Sequence, residues 1–97
     1  MENFLVRVVL HSKTDLSYQA YSDLHIAMER AGFSRRILST TNIWYQLPPA
    51  EYMMTSAHYT LQQLYDVVFN IVVKIDPDYG ILVSALKTYT WGGLKTS

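Results

Sequence analysis

The chain contains no cysteine. Disulfide bridges, thiolate zinc ligands and cysteine nucleophiles are therefore excluded, and the composition suits a reducing compartment. Charge is scarce as well: charged types make up 16% of the residues, and eight Lys and Arg offset eight Asp and Glu. No overall positive field exists to hold a long nucleic acid, so no DNA partner is expected, and any RNA contact must rest on a local basic patch. Long apolar runs are missing too. Val67–Ile75 is too short to span a bilayer and is broken by Asn70 and Lys74, while Arg7 interrupts the one stretch that could serve as a secretion signal. A soluble, cytoplasmic protein without a membrane partner is expected. No phosphate-cradling glycine loop, nucleophile elbow or paired-carboxylate motif is present, and His11, His25 and His58 are too widely spaced for a local metal motif. Neither a metal nor a cofactor is implied.

What the chain does have is apolar content. Hydrophobic types reach 49% of 97 residues, enough to exclude disorder and to leave some apolar surface once a core is filled, which favours self-association. The length suits one domain, residues 1–97. The eight tyrosines read as amphipathic core and rim residues, a usage that also suits an interface.

Asn3–His11, NFLVRVVLH, is the clearest buried-strand signal. With a period of two, Phe4, Val6, Val8 and Leu10 share one side, and Leu5, Arg7, Val9 and His11 share the other. A helix is predicted from about Leu16 to Ala31, with Tyr21, Leu24, Met28 and Ala31 on its apolar side. Thr14, Asp15 or Ser17 would cap it, Gly32 would stop it, and Phe33 would fold back on its last turn. Asp15 also stands where metal-dependent nucleases of a related architecture carry an acidic group.

Ser34–Ser39 and Ile43–Leu47 read as a hairpin about the turn formers Thr40–Asn42. Pro48 and Pro49 cannot donate to a ladder, and Glu51–Thr55 resumes as an edge strand. Thr60 and Gln63 form a capping box, with Tyr59 and Leu64 as its hydrophobic staple. The second helix then presents Leu61, Leu64, Tyr65, Val68, Ile71, Val72 and Ile75, ending at Asp76-Pro77-Asp78. Val67, Phe69 and Val73 spill onto its flanks, which implies deep sandwiching or contact with a second subunit. Ile81–Lys87 is the last strand, suited to an interior position beside the first, and Thr88–Trp91 extends it or hooks over an edge. The order β-α-β-β-α-β predicts an α+β, ferredoxin-like antiparallel sheet with both helices on one face and the first and last strands at the centre.

In that architecture the helix-free face is the working surface. Arg7 and His11 would project there, one of Arg35 and Arg36 would join them from the hairpin, and Tyr45 or Trp44 could stack a base. His11 could carry a proton during RNA cleavage while arginine steadies the phosphorane charge. The plainer reading is that Arg7, Arg35 and Arg36 are solvated, or paired with Glu51, and blunt a sheet edge. His25 reads as a packing or capping residue and His58 as a loop residue.

Four segments, FLVRVVLH, YSDLHIAMERAGFSRRI, YQLPPAEY and ILVSAL followed by WGGL, resemble the small bacterial proteins grouped with the GhoS-type antitoxins of type V toxin–antitoxin systems. The resemblance implies a ferredoxin-like fold similar to the CRISPR adaptation nucleases, and an endoribonuclease that cuts a toxin messenger RNA. Arg35 and Glu51 are the polar positions it carries over, from LH–M–AGFSR and LP-AEY, with Arg7 and His11 from the strand segment. The first expectation is thus a GhoS-like antitoxin that binds RNA or cuts it without metal. The alternatives are a noncatalytic protein-interaction module, such as a phage or mobile-element inhibitor or adaptor, and a small structural homodimer.

Overall fold

A computed structural model describes residues 2–12 and 19–96. Its organising element is β1 (Glu2–Leu10), whose alternation of buried and exposed positions follows the period of two read from its sequence. Phe4, Val6 and Val8 are wholly buried and Leu10 nearly so, whereas Arg7 and Val9 face out. Each fully buried side chain of this size contributes about 1.5–3 kcal/mol, so this one strand anchors the core. Around it gather Tyr21, Leu24 and Met28 of α1 (Gln19–Arg30) and Leu64, Val68 and Val72 of α2 (Leu61–Val72), so both helices feed one buried cluster on the same side of β1.

The residues expected to cap α1, Thr14, Asp15 and Ser17, lie outside the described residues. Its far end closes as anticipated. Gly32 takes φ of 96°, and the Phe33 and Gly32 amides donate to Met28 O (3.0 Å) and Glu29 O (3.0 Å), the two bonds of a Schellman closure. Phe33 is buried beside Met28 in the core.

β2 (Arg36–Leu38) and β3 (Trp44–Gln46) form the expected hairpin, but as a separate two-stranded sheet. The strand that joins β1 on this side is β4 (Glu51–Ser56), antiparallel, with Arg7 opposite Glu51 and Val6 opposite Tyr52. The element order is therefore β-α-β-β-β-α-β, one strand more than the sequence reading assigned. The physical cause sits at Pro48-Pro49-Ala50. Two residues without amide donors end the small ladder, and a turn closed by the Glu51 amide on Pro48 O (3.2 Å) swings the chain onto β1. Ala50 holds φ of 63° in this turn, a position that usually falls to glycine.

β5 (Tyr79–Leu86) pairs with the other side of β1, giving the order β4-β1-β5. It lies beside the first strand as expected but at the edge of the sheet instead of its interior, and Leu82 is 60% exposed. Its apolar run has a simpler cause: Ile81, Val83 and Ala85 pair with Val8, Val6 and Phe4 on the core side. The Thr60 capping box is present in full, the Thr60 hydroxyl accepting from Gln63 N (3.2 Å) and the Gln63 side chain accepting from Thr60 N (2.9 Å). α2 ends at Val72, four residues before the Asp76-Pro77-Asp78 stop. Asp76 is itself buried, its carboxylate accepting from the Ser12 hydroxyl (2.6 Å) and from Asp78 N (2.9 Å). Leu61, expected on the buried face, is exposed.

Beyond β5 the chain hooks back. Lys95 O accepts from Gln46 N (2.8 Å), Thr96 bridges to Tyr45, and Trp91 meets Tyr45 edge-on at 5.8 Å while stacking on Tyr89. This strap, together with Leu5, Met53 and Leu86, surrounds a mainly apolar cavity of about 280 Å³.

Candidate functional site

Strand pairing brings Arg7, Glu51 and Leu82 together on the face of the sheet opposite the core. Arg7 lies directly opposite Glu51 on one side and Leu82 on the other. His11 follows β1, its amide donating to Asp78 O (2.9 Å), and its imidazole lies over Gly80. Gly80 pairs with Val9, so a side chain there would share the side of Val9 and Arg7; its absence makes room for the ring. Arg7 and His11 therefore project on one face, and both are exposed. The strap divides that face. Leu5, Glu51, Met53 and Leu86 border its cavity, so its rim reaches Arg7's ladder partner, whereas Arg7, Val9, His11 and Leu82 are exposed and not part of its lining. Glu51 stands opposite Arg7 in the ladder, so a carboxylate shares the face with the guanidinium and offsets part of its field.

The other sequence candidates lie elsewhere, because the hairpin is its own sheet and its alternation does not carry over to β1. Arg36 shares the outer face of β2–β3 with Trp44, its guanidinium 4.7 Å from the ring centroid. Such an exposed cation–π contact contributes about 0.5–1 kcal/mol. Tyr45 is opposite Ile37 on the other face, half-buried, where its ring meets Trp91 edge-on. Arg35 turns toward the helical side of the molecule, close enough for its charge to act on both His25 and Tyr52. Neither Arg35 nor Arg36 joins Arg7 and His11.

Arg35 instead completes a constellation that the sequence reading missed. His25 Nδ1 and the Tyr52 hydroxyl are 2.6 Å apart, with the rings tilted at 55°. α1 supplies His25 from the border of its buried face, and β4 delivers Tyr52 from beneath the sheet, wholly buried. Partial burial lowers the imidazole pKa below 6.5, the Arg35 charge lowers it further, and Glu29 one helical turn away acts the other way. Burial raises the Tyr52 phenol well above its ordinary value, so it stays a neutral hydroxyl. Next to this cluster runs a groove of about 560 Å³ lined by Glu29, Ser34, Arg35, Arg36 and Gln46. The available signal was the segments LH, FSR and AEY, which hold His25, Arg35 and Tyr52; their convergence is a tertiary fact.

Compared with protein-family models, with curated proteins and with solved structures, the chain matches none. Among the described residues, no three His, Asp or Glu side chains gather as a metal group, and no helix is long and apolar enough to cross a membrane.

Proposed function

We propose that the protein is an RNA-directed, GhoS-like antitoxin domain of the cytoplasm, gripping single-stranded RNA on the sheet face that bears Arg7 and His11. The observation that carries this reading is the projection of those two groups from a part of the face free of both helices and strap. A guanidinium there meets backbone phosphate and an imidazole meets phosphate or a base edge, the chemistry by which open sheet surfaces hold single strands. The exposed Arg36–Trp44 pair is a second basic and aromatic contact for a strand leaving the face. A ferredoxin-like descent of the fold accords with the backbone exchange between Ser34 and Met53 (2.8 Å each way), which sets the chain before β2 beside β4 as a rudimentary fourth strand. The β2–β3 hairpin and strap are then additions to that plan.

Fluorescence anisotropy with a labelled single-stranded RNA tests the reading. Affinity is expected to fall steeply with salt, with a slope on logarithmic axes that drops by about 0.7 for each phosphate contact removed. Arg7→Ala is expected to remove one such contact, and Arg36→Ala, which removes the cation of the Arg36–Trp44 pair, to weaken binding further. A salt-insensitive affinity, or none, would defeat the proposal. Leu82 at 60% exposure and Val9 at 39%, flanking Arg7, favour a second reading, docking on an apolar protein surface or a second copy. Sedimentation showing a stable dimer that Leu82→Lys dissolves would support it.

A further inference from the structure

The two edges of the main sheet are finished differently. On the β4 side the chain before β2 covers the edge, Ser34 and Met53 exchanging amide and carbonyl at 2.8 Å each way. On the β5 side nothing among the described residues does so. The Val8 amide donates to Ala50 O on the β4 side and the His11 amide to Asp78 O on the β5 side, so even positions of β1 bond toward β4 and odd positions toward β5. Leu5, Arg7 and Val9 therefore take up the backbone groups of Ser84, Leu82 and Gly80, which leaves those of Ile81, Val83 and Ala85 pointing out of the sheet. Tyr79–Leu86 has no charge, no proline and no break in its pairing, the devices that ordinarily blunt an exposed edge.

We infer that this edge takes the β5 edge of a second copy, antiparallel, with Leu82 on the two-fold axis, joining two three-stranded sheets into one of six. This rests on the second reading above, docking of a second copy, and fixes its edge, direction and register. Direction follows from charge. Asp78 precedes the strand and Lys87 follows it, both exposed, so antiparallel pairing sets each acidic end beside the partner's basic end, whereas parallel pairing would set like beside like. Register follows from Leu82, at 60% the most exposed large apolar side chain among the described residues. Its backbone groups bond toward β1, so on the axis it meets the partner's Leu82 as a non-hydrogen-bonded pair, the closer kind, while Ile81 and Val83 exchange bonds with the partner's Val83 and the partner's Ile81. The bare groups are satisfied, and the two leucines cover each other. Opposite residues in such a sheet point the same way, so both outer faces, each with its Arg7, form one continuous surface.

Sedimentation equilibrium of the full chain over a concentration series, joined to disulfide cross-linking, provides the test. The chain has no cysteine, so single substitutions report proximity cleanly. Opposite residues of a non-hydrogen-bonded pair have Cα atoms about 4.5 Å apart, within disulfide reach. Leu82→Cys is expected to give a disulfide-linked dimer on mild oxidation, and Val9→Cys, on the same face but in the interior strand, to run as a monomer on a denaturing gel. Val83→Pro deletes an amide that β1 does not use, so the thermal melt is expected to persist while the dimer dissociation constant rises at least roughly 10-fold. A monomer at every concentration overturns this inference and second-copy docking together. A dimer that Val9→Cys links as readily as Leu82→Cys, or that a folded Val83→Pro variant leaves intact, overturns the edge and leaves docking through the face standing.

Discussion

At the residue scale, His25 shows how burial turns a packing residue into a titrating one. Its folded pKa is lowered, so the unfolded chain binds a proton more readily than the folded one. Above 6.5 both states are neutral and nothing is lost; as pH falls below 6.5 the unfolded state protonates first and stability declines until the folded imidazole titrates in turn. We therefore expect the melting temperature to decline between pH 7.5 and 5, and the decline to be shallower in His25→Gln. Equal slopes in the two proteins would show that His25 carries none of this linkage. The sequence reading treated His25 as a border residue because a helical wheel shows only which way a side chain points. That Tyr52 waits there, 27 positions along the chain, is outside any local pattern. Asp76 was missed for the same reason: read as a turn former, it is 2% exposed and ties the end of β1 through Ser12 to the loop before β5.

The elements themselves were largely legible, because their signals are local. Alternation in β1, the Thr60–Gln63 box and the glycine stop after α1 each involve residues within a few positions of one another. The stop gives a direct test. Gly32 holds a left-handed φ of 96°, and an added Cβ would stand 3.3 Å from the Met54 Cε. Gly32→Ala is expected to cost about 1–2 kcal/mol from the backbone conformation, read from urea midpoints at unchanged m-value. The methionine tip can yield, so strain in φ and not crowding sets the loss. Less legible was which extended segment would pair with β1. Ile43–Leu47 and Glu51–Thr55 both read as strands, and the choice fell to Tyr52 and Met53, whose burial on opposite faces of β4 no three-residue strand of the hairpin could match.

For the molecule as a whole, the strap decides how much of the sheet face is available. Trp91 anchors it, edge-on to Tyr45 and stacked on Tyr89, contacts that contribute about 0.5–1.5 kcal/mol each beyond area burial. Trp91→Ala is expected to loosen the strap without unfolding the core. Amide exchange should quicken at Gln46, whose acceptor is Lys95 O, and stay slow along β1. Uniform acceleration across β1 would instead make the strap part of the cooperative core.

By itself the sequence determined the central strand and its two faces, both helices, the stop of α1 and the start of α2, and the outward aim of Arg7 and His11, because side-chain period and capping chemistry act over one or two turns of chain. Only the tertiary structure decided that β4 would flank β1, that β5 would be an edge, that the arginine pair would part from Arg7, and that His25, Arg35 and Tyr52 would meet. Those outcomes depend on which distant surfaces bury the most apolar area once the chain has closed on itself, a competition that no single segment records.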